Sequence, residues 1–361
     1  MSNKLISTYY TSIASLKRRM EMNYRTYGFN GPYEREVFEE WQEKAIDRLS
    51  YLLGLDIIKR DAGNLDFKER IESTVTLGNG IKREHTYIDT EEDVTMPLFI
   101  LHPSTPSKGT FIAYTGHNGA GKESVAGIRD NKSVVEKIEK YNYDYGLKLT
   151  EMGYTVICPD PRGFGERRET TTQGDEDDKY LKSSCKELAQ SALVLGFTLQ
   201  GLYVWDTMRL IDYLETREDI DTSKLGVIGF SGGGMQALYA TALEKRIKKA
   251  IISGYFYGFE ESLLELNSNC QCNYVPSVFT SFDMGDIASL IAPRPLAIQS
   301  CLYDHLEGRR GMENVMEQMD ILSKSYEIYG KTIFHDTPPG DHAFHNDKLE
   351  EIMNFFEKES V

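Results

Sequence analysis

The sequence predicts an α/β protein built on a mostly parallel, doubly wound sheet with an antiparallel start. Three observations carry this reading. From about residue 69, short and nearly continuous apolar runs recur along the chain, as strands covered on both faces require. Segments with helical spacing lie between the later runs. The earliest runs instead alternate and turn tightly, as a hairpin does.

Ahead of the first strand, Phe38, Trp41, Ala45, Leu49, Leu52 and Leu53 share one face of a helix within 33–54. Residues 1–68 therefore read as an N-terminal helical extension and 69–361 as the main domain. Runs 71–77 and 81–88 flank Gly78-Asn79-Gly80, a hairpin signal, and 96–101 follows as a third strand. The next strands are expected at 109–115, 154–159, 225–230, 250–253, 295–301 and 331–334. Helices are expected at 134–151, 202–216, 233–243 and 348–356, with Val204, Met208, Ile211 and Leu214 forming the stripe of the second.

Two stretches break the alternation. Residues 163–200 open on a polar, acidic run, and 254–285 are rich in aromatics: Tyr255, Phe256, Tyr257, Phe259, Tyr274, Phe279 and Phe282. Both leave the C-terminal ends of strands, where ligands bind in open α/β sheets. They are expected as walls or a lid of a pocket. The alternative is that the aromatics pack into a purely structural subdomain.

With 361 residues and 40% hydrophobic content, the chain can hold one core of ~250 residues plus these additions. Its 41 Lys+Arg against 56 Asp+Glu leave a net charge of −15, which argues against nucleic acid or an anionic membrane as partner. No stretch approaches 18 apolar residues, and the N-terminus lacks a basic segment followed by an apolar one. A cytoplasmic protein is expected. The five cysteines are Cys158, Cys185, Cys270, Cys272 and Cys301, an odd number, and two lie in strand-like runs. That pattern suits free thiols rather than disulfides. Cys270-x-Cys272 has no second pair of obvious spacing, so no structural metal is expected.

The segment that carries chemistry is Gly229-Phe230-Ser231-Gly232-Gly233, a G-x-S-x-G between an apolar strand and an Ala-rich helix. In that context the strand turns at once into the helix and leaves the Ser231 hydroxyl exposed in a strained backbone. Side chains at 229 and 233 are expected to collide across the turn. A helix N-terminus at the serine also favours developing negative charge.

A serine needs a base, and the base an acid, in the chain order Ser, acid, His. Of the histidines beyond Ser231, His342 lies in a turn after the last strand and is the expected base, with His345 and His335 as competitors. Asp304, in the loop leaving strand 295–301, is the expected acid, with Glu307 and Asp286 as competitors. The oxyanion hole calls for the Gly232 N–H and one from loop 115–121, assigned to His117. Residues 116–122 also match G-x-x-x-x-G-K, but Glu123 stands where a phosphate-binding loop needs Ser or Thr.

Taken together, Thr115-Gly-His-Asn, Asp160-Pro-Arg-Gly-Phe-Gly-Glu166, Trp205-Asp206, the serine motif, Ala292-Pro-Arg-Pro295, Asp304 and Gly340-Asp-His342 resemble one family. It is the α/β-hydrolase branch of acetyl xylan esterases, cephalosporin-C deacetylases and dienelactone-hydrolase-like proteins, matched over roughly 90–355. The resemblance implies Ser231 as nucleophile, Asp304 as acid, His342 as base, and His117 and Gly232 as oxyanion donors. Asp160, Arg162, Gly163, Trp205 and Asp206 would brace the ligand end of the sheet. The family's usual His-Gly of the oxyanion loop is Thr115-Gly116 here.

The expected function is a carboxylic-ester hydrolase acting through an acyl-enzyme on a small-molecule ester, without metal or organic cofactor. Removal of a small acyl group such as acetyl from a carbohydrate or related metabolite is the favoured form. A serine peptidase, a C–C bond hydrolase and a non-catalytic binding protein are the alternatives. The 68 residues before the first strand are too few for the propeller that such peptidases add.

Overall fold

The computed structural model describes residues 10–22, 25–63, 66–174, 176–266 and 269–359. The start of the chain read above for targeting signals lies outside residues 10–359, apart from Tyr10.

The apolar runs form nine strands: β1 (Arg70–Thr76), β2 (Lys82–Glu91), β3 (Val94–His102), β4 (Thr110–Tyr114), β5 (Thr155–Pro159), β6 (Gly226–Phe230), β7 (Lys249–Ser253), β8 (Leu296–Gln299) and β9 (Phe334–Asp336). They make one sheet in the order β1-β2-β3-β5-β4-β6-β7-β8-β9. β1, β2, β3 and β5 pair antiparallel, and every later pairing is parallel. The predicted class and its antiparallel start are what the structure has. β4, β5 and β6 are buried along their whole length, whereas β1 is exposed throughout. β4 lies between β5 and β6, so the connections on its two sides leave in opposite directions. A crevice opens at the C-terminal end of β4, the usual ligand position in such a sheet.

Three elements depart from the sequence reading. The helix expected over 134–151 is two helices, Lys132–Tyr141 and Tyr145–Glu151. Asn142 takes a left-handed conformation (φ 54°), and its side-chain N–H donates to the Phe344 carbonyl at 2.7 Å. The helix expected from 202 starts at Leu199, because the Thr198 hydroxyl accepts from Gly201 N–H at 2.9 Å as an N-cap. The last strand lies at Phe334–Asp336 rather than 331–334, since Lys331 N–H still bonds the Tyr326 carbonyl at 3.1 Å where the preceding helix ends.

The N-terminal residues form helices Ile13–Glu21, Arg35–Leu53 and Leu55–Ala62. Phe38, Ala45, Leu49 and Leu53 are fully buried and belong to the same apolar cluster as Leu238 and Ile252 of the sheet layer. The Gln42 amide donates to the Ala292 carbonyl at 2.8 Å, and Arg25 pairs with buried Asp286 at 3.0 Å. No single helix among the described residues is long and apolar enough to cross a membrane. The apolar pair Cys185–Leu195 and Leu199–Leu214 is bent by 95°.

The Phe38 ring meets Phe29, Trp41 and Tyr329 at centroid distances of 5.2, 5.5 and 5.9 Å. Phe38→Ala is expected to cost about 3–5 kcal/mol of unfolding free energy. Urea denaturation checks this, and a cost below about 1 kcal/mol would mean that the extension does not share the core.

Candidate active site

Ser231 sits between β6 and helix Gly232–Leu243 with φ 56° and ψ −120°. That region costs a non-glycine residue on the order of 1–3 kcal/mol. The turn tolerates it because its flanks are bare. A Cβ at Gly229 would lie 2.0 Å from the Gly233 carbonyl oxygen, as a collision across the turn requires. A Cβ at Gly233 would instead strike the Tyr114 carbonyl oxygen of β4 at 2.2 Å. The second glycine therefore serves the neighbouring strand rather than the turn itself.

His342 Nε2 lies 2.8 Å from Ser231 Oγ, and His342 Nδ1 lies 2.5 Å from Asp304 Oδ2. The two loops that supply these side chains are zipped together. Ser300, Leu302 and Tyr303 N–H groups donate to the carbonyls of Asp336, Pro338 and Gly340, each at 3.0 Å. Asp304 is almost wholly buried, and its other oxygen accepts from Leu306 N–H at 2.9 Å. The Phe230 ring packs 4.5 Å from the imidazole centroid. With Nδ1–H donating to the carboxylate, Nε2 is left to accept the serine proton.

The competitors stand elsewhere. His335 faces Ser300 Oγ at 3.4 Å, and burial pushes it down to about 4. His345 lies 3.8 Å from Asp347. Asp286 caps helix Met284–Ser289 and holds Arg25. Glu307 is buried, and its N–H donates to the Asp304 carbonyl at 3.2 Å; burial first, and the Asp304 charge second, push its carboxyl up to about 8.

Gly232 N–H opens its helix and is one of the groups the helix leaves without an internal partner. A Cβ at Gly232 would lie 3.5 Å from the His117 backbone nitrogen, so the two expected oxyanion donors are neighbours. Loop 115–121 is held from several sides. Tyr143 OH donates to the His117 carbonyl at 2.6 Å, and Tyr145 OH donates to the Tyr114 carbonyl. Buried Asp160 accepts from Lys122 N–H at 2.7 Å, from Lys122 Nζ at 2.9 Å and from Glu166 N–H at 3.0 Å. The lysine of the G-x-x-x-x-G-K match is thus buried in an ion pair. Asp206 takes Arg162 at 3.0 and 2.7 Å and Arg167 at 2.7 Å.

A cavity of about 420 Å³ opens over Ser231, lined by His117, Asn118, Tyr141, Tyr143, Tyr255, Tyr257, Asn269, Cys270, Asn273, His305 and Leu306 among others. Of the aromatics of 254–285, Tyr255, Phe256, Tyr257, Phe259 and Phe282 all belong to the buried core, and Tyr255 and Tyr257 also line the cavity. The Tyr255 and Tyr257 hydroxyls are buried and have no hydrogen-bond partner among the described residues. Sequence spacing had no means of singling these two tyrosines out.

The His117 imidazole lies against sulfur, which the sequence reading did not foresee. Its Nε2 is 3.7 Å from Cys185 Sγ and 3.4 Å from Cys272 Sγ. Burial opposes a charge on this ring, but hydrogen bonds to the Cys185 and Cys270 sulfurs outweigh it and push it up to about 10.

Strand order, the serine turn and the loops that carry Asp304 and His342 match one fold, and a family profile described as alpha/beta hydrolase fold matches residues 139–266. This is an α/β-hydrolase fold. A Bacteroides fragilis protein provisionally assigned as an acetyl xylan esterase superposes with a TM-score of 0.72 at 15% identity, over 91% of this chain and 83% of that one. A glucuronoyl esterase from Solibacter usitatus gives 0.65 at 16% identity, over 91% and 94%. YtaP of Bacillus subtilis (strain 168), provisionally assigned as a hydrolase, is 29% identical over 190 residues. That match spans 51% of this chain and 59% of the relative, so it leaves much of both outside the comparison.

Glu307 supplies a pH test of its buried carboxyl. Its folded value of about 8 exceeds the ordinary 4.5, so the folded state holds the proton more tightly. The stability it contributes is full below pH 4.5 and is lost as pH rises through 8. Glu307→Gln should flatten the fall in melting temperature between pH 5 and 8; an unchanged slope would show that Glu307 ionises normally.

Proposed function

We propose that this protein is a carboxylic-ester hydrolase that works through an acyl-enzyme on Ser231. The observation that carries the reading is the hydrogen-bonded chain from Ser231 Oγ through His342 to Asp304. In the first step His342 Nε2 takes the hydroxyl proton as Oγ attacks the ester carbonyl, and Asp304 stabilises the imidazolium. The N–H groups of Gly232 and His117 receive the oxyanion. His342 then gives its proton to the departing alcohol. Water, activated by the same imidazole, attacks the acyl carbon and frees the acid.

The cavity favours a small, polar ester. Leu306 is the one aliphatic residue among those named as lining it, and Tyr255, Tyr257, Asn269 and Asn273 present hydroxyls and amides. Two unpartnered tyrosine hydroxyls suit a substrate rich in hydroxyls, because a polar site left unpaired penalises an apolar ligand. An acetylated sugar or related polyol meets these demands, and the names of the acetyl xylan and glucuronoyl esterases that share the fold agree with a carbohydrate ester. Five cysteines, none of them in a disulfide, suit a reducing compartment, so the cytoplasm is the proposed location.

With p-nitrophenyl acetate and acetylated xylose as probes, Ser231→Ala and His342→Ala should each lower kcat by about 10³-fold or more. His345→Ala should cost less than about tenfold. Ser231→Ala should also lose labelling by a fluorophosphonate while keeping its circular dichroism spectrum. Retained labelling, or equal losses from the two histidine variants, would overturn the assignment.

A further inference from the structure

We infer that His117, Cys185, Cys270 and Cys272 form a binding site for one structural zinc ion beside the proposed oxyanion hole. One ligand atom from each, three sulfurs and an imidazole nitrogen, lie within 4.8 Å of one another. The residues come from three distant segments: the loop after β4, the first residue of helix Cys185–Leu195, and the short turn around Gln271–Asn273. The fold supplies the second pair of ligands that the lone Cys270-x-Cys272 lacked in the sequence, and so reverses the expectation of no structural metal.

The spacing fits a filled tetrahedron. Zinc bonds sulfur at about 2.3 Å and imidazole nitrogen at about 2.0–2.1 Å, which sets sulfur and nitrogen about 3.6 Å apart in a regular site. The two separations of His117 Nε2, 3.4 Å from Cys272 and 3.7 Å from Cys185, bracket that value. Three thiolates with one imidazole select a soft, four-coordinate ion, and zinc is the metal that such closed sites ordinarily hold. Outer contacts are in place as well. The Tyr203 hydroxyl lies 3.5 Å from Cys185 Sγ, and the Asn273 amide donates to Cys272 Sγ at 3.7 Å. Such partners orient ligating sulfur and disperse its charge. Cys185 also opens an 11-residue helix, whose positive end favours the thiolate. Binding leaves three thiolates and a neutral imidazole whose remaining proton is on Nδ1, and the protons that the thiols and His117 Nε2 held beforehand go to solvent.

The ion's role follows from what it joins. Ligation through Nε2 fixes the His117 ring, whose Nδ1 lies 2.5 Å from where a Cβ on Gly232 would stand. It thereby clamps the backbone that carries the His117 N–H, and ties it to the cavity wall at Cys270. This positioning role rests on the hydrolase reading; occupancy of the site does not.

The full chain, expressed in zinc-containing medium and desalted, should hold one zinc per protein by elemental mass spectrometry. Cys185→Ser and Cys272→Ser should each drop well below half occupancy, whereas Cys158→Ala, outside the cluster, should keep it. Ser231→Ala should also keep its zinc, which separates failure of the metal site from failure of the esterase reading. Cobalt exchanged into the wild-type chain should give the intense visible bands of a tetrahedral thiolate site, a readout that does not depend on any variant folding. Removal of the zinc should lower kcat on p-nitrophenyl acetate more than tenfold with KM little changed. Absence of zinc and of the cobalt spectrum, with Cys185, Cys270 and Cys272 reacting as free thiols or joined as a disulfide, would overturn the site. A full zinc content with unchanged kcat after its removal would overturn the clamping role.

Discussion

The strained backbone at Ser231 is the constraint from which the rest of the site follows. A side chain held at φ 56° needs bare flanks: a Cβ on Gly229 would strike the Gly233 carbonyl oxygen across the turn at 2.0 Å, and one on Gly233 would strike the Tyr114 carbonyl oxygen at 2.2 Å. Because the second approach is to Tyr114, the turn and the end of β4 must be packed as one unit. The loop after β4 is thereby delivered to the serine's side. Strain in the turn is offset by the surrounding sheet, whose central strands are buried from end to end.

The second constraint is that His342 and Asp304 reach Ser231 as one hydrogen-bonded chain from separate loops. Three backbone hydrogen bonds join the β8 and β9 exits before either side chain is considered. The placement of Asp304 and His342 is therefore mostly a matter of main-chain pairing. A buried carboxylate is costly without partners, and Asp304 has both the imidazole and the Leu306 N–H.

Much of this was legible in the sequence because it is local. Apolar runs gave the strands their positions, and the glycines around Ser231 marked the turn. Chain order then picked out Asp304 and His342. What stayed hidden depends on which residues the fold brings together. The shift of the last strand was set by a hydrogen bond from Lys331 back into the preceding helix. The sulfur cluster joins Cys270 and Cys272 to positions 117 and 185, across gaps of tens of residues that no spacing rule covers. Tyr255 and Tyr257 look, in one dimension, like the neighbouring Phe256 and Phe259 that pack in the core. A one-residue step in a non-helical segment decides which of these buried rings also line the cavity.

The break at Asn142 has a consequence for how the β4 exit is gripped. In an unbroken α-helix residues two apart point about 200° away from each other. Tyr143 and Tyr145 would then diverge, and at most one hydroxyl could reach the β4 exit. With the chain broken over residues 142–144, Tyr143 lies outside both helices and Tyr145 opens the second, and their hydroxyls hold carbonyls three residues apart, at Tyr114 and His117. The break thus converts a rod into a pair of fingers.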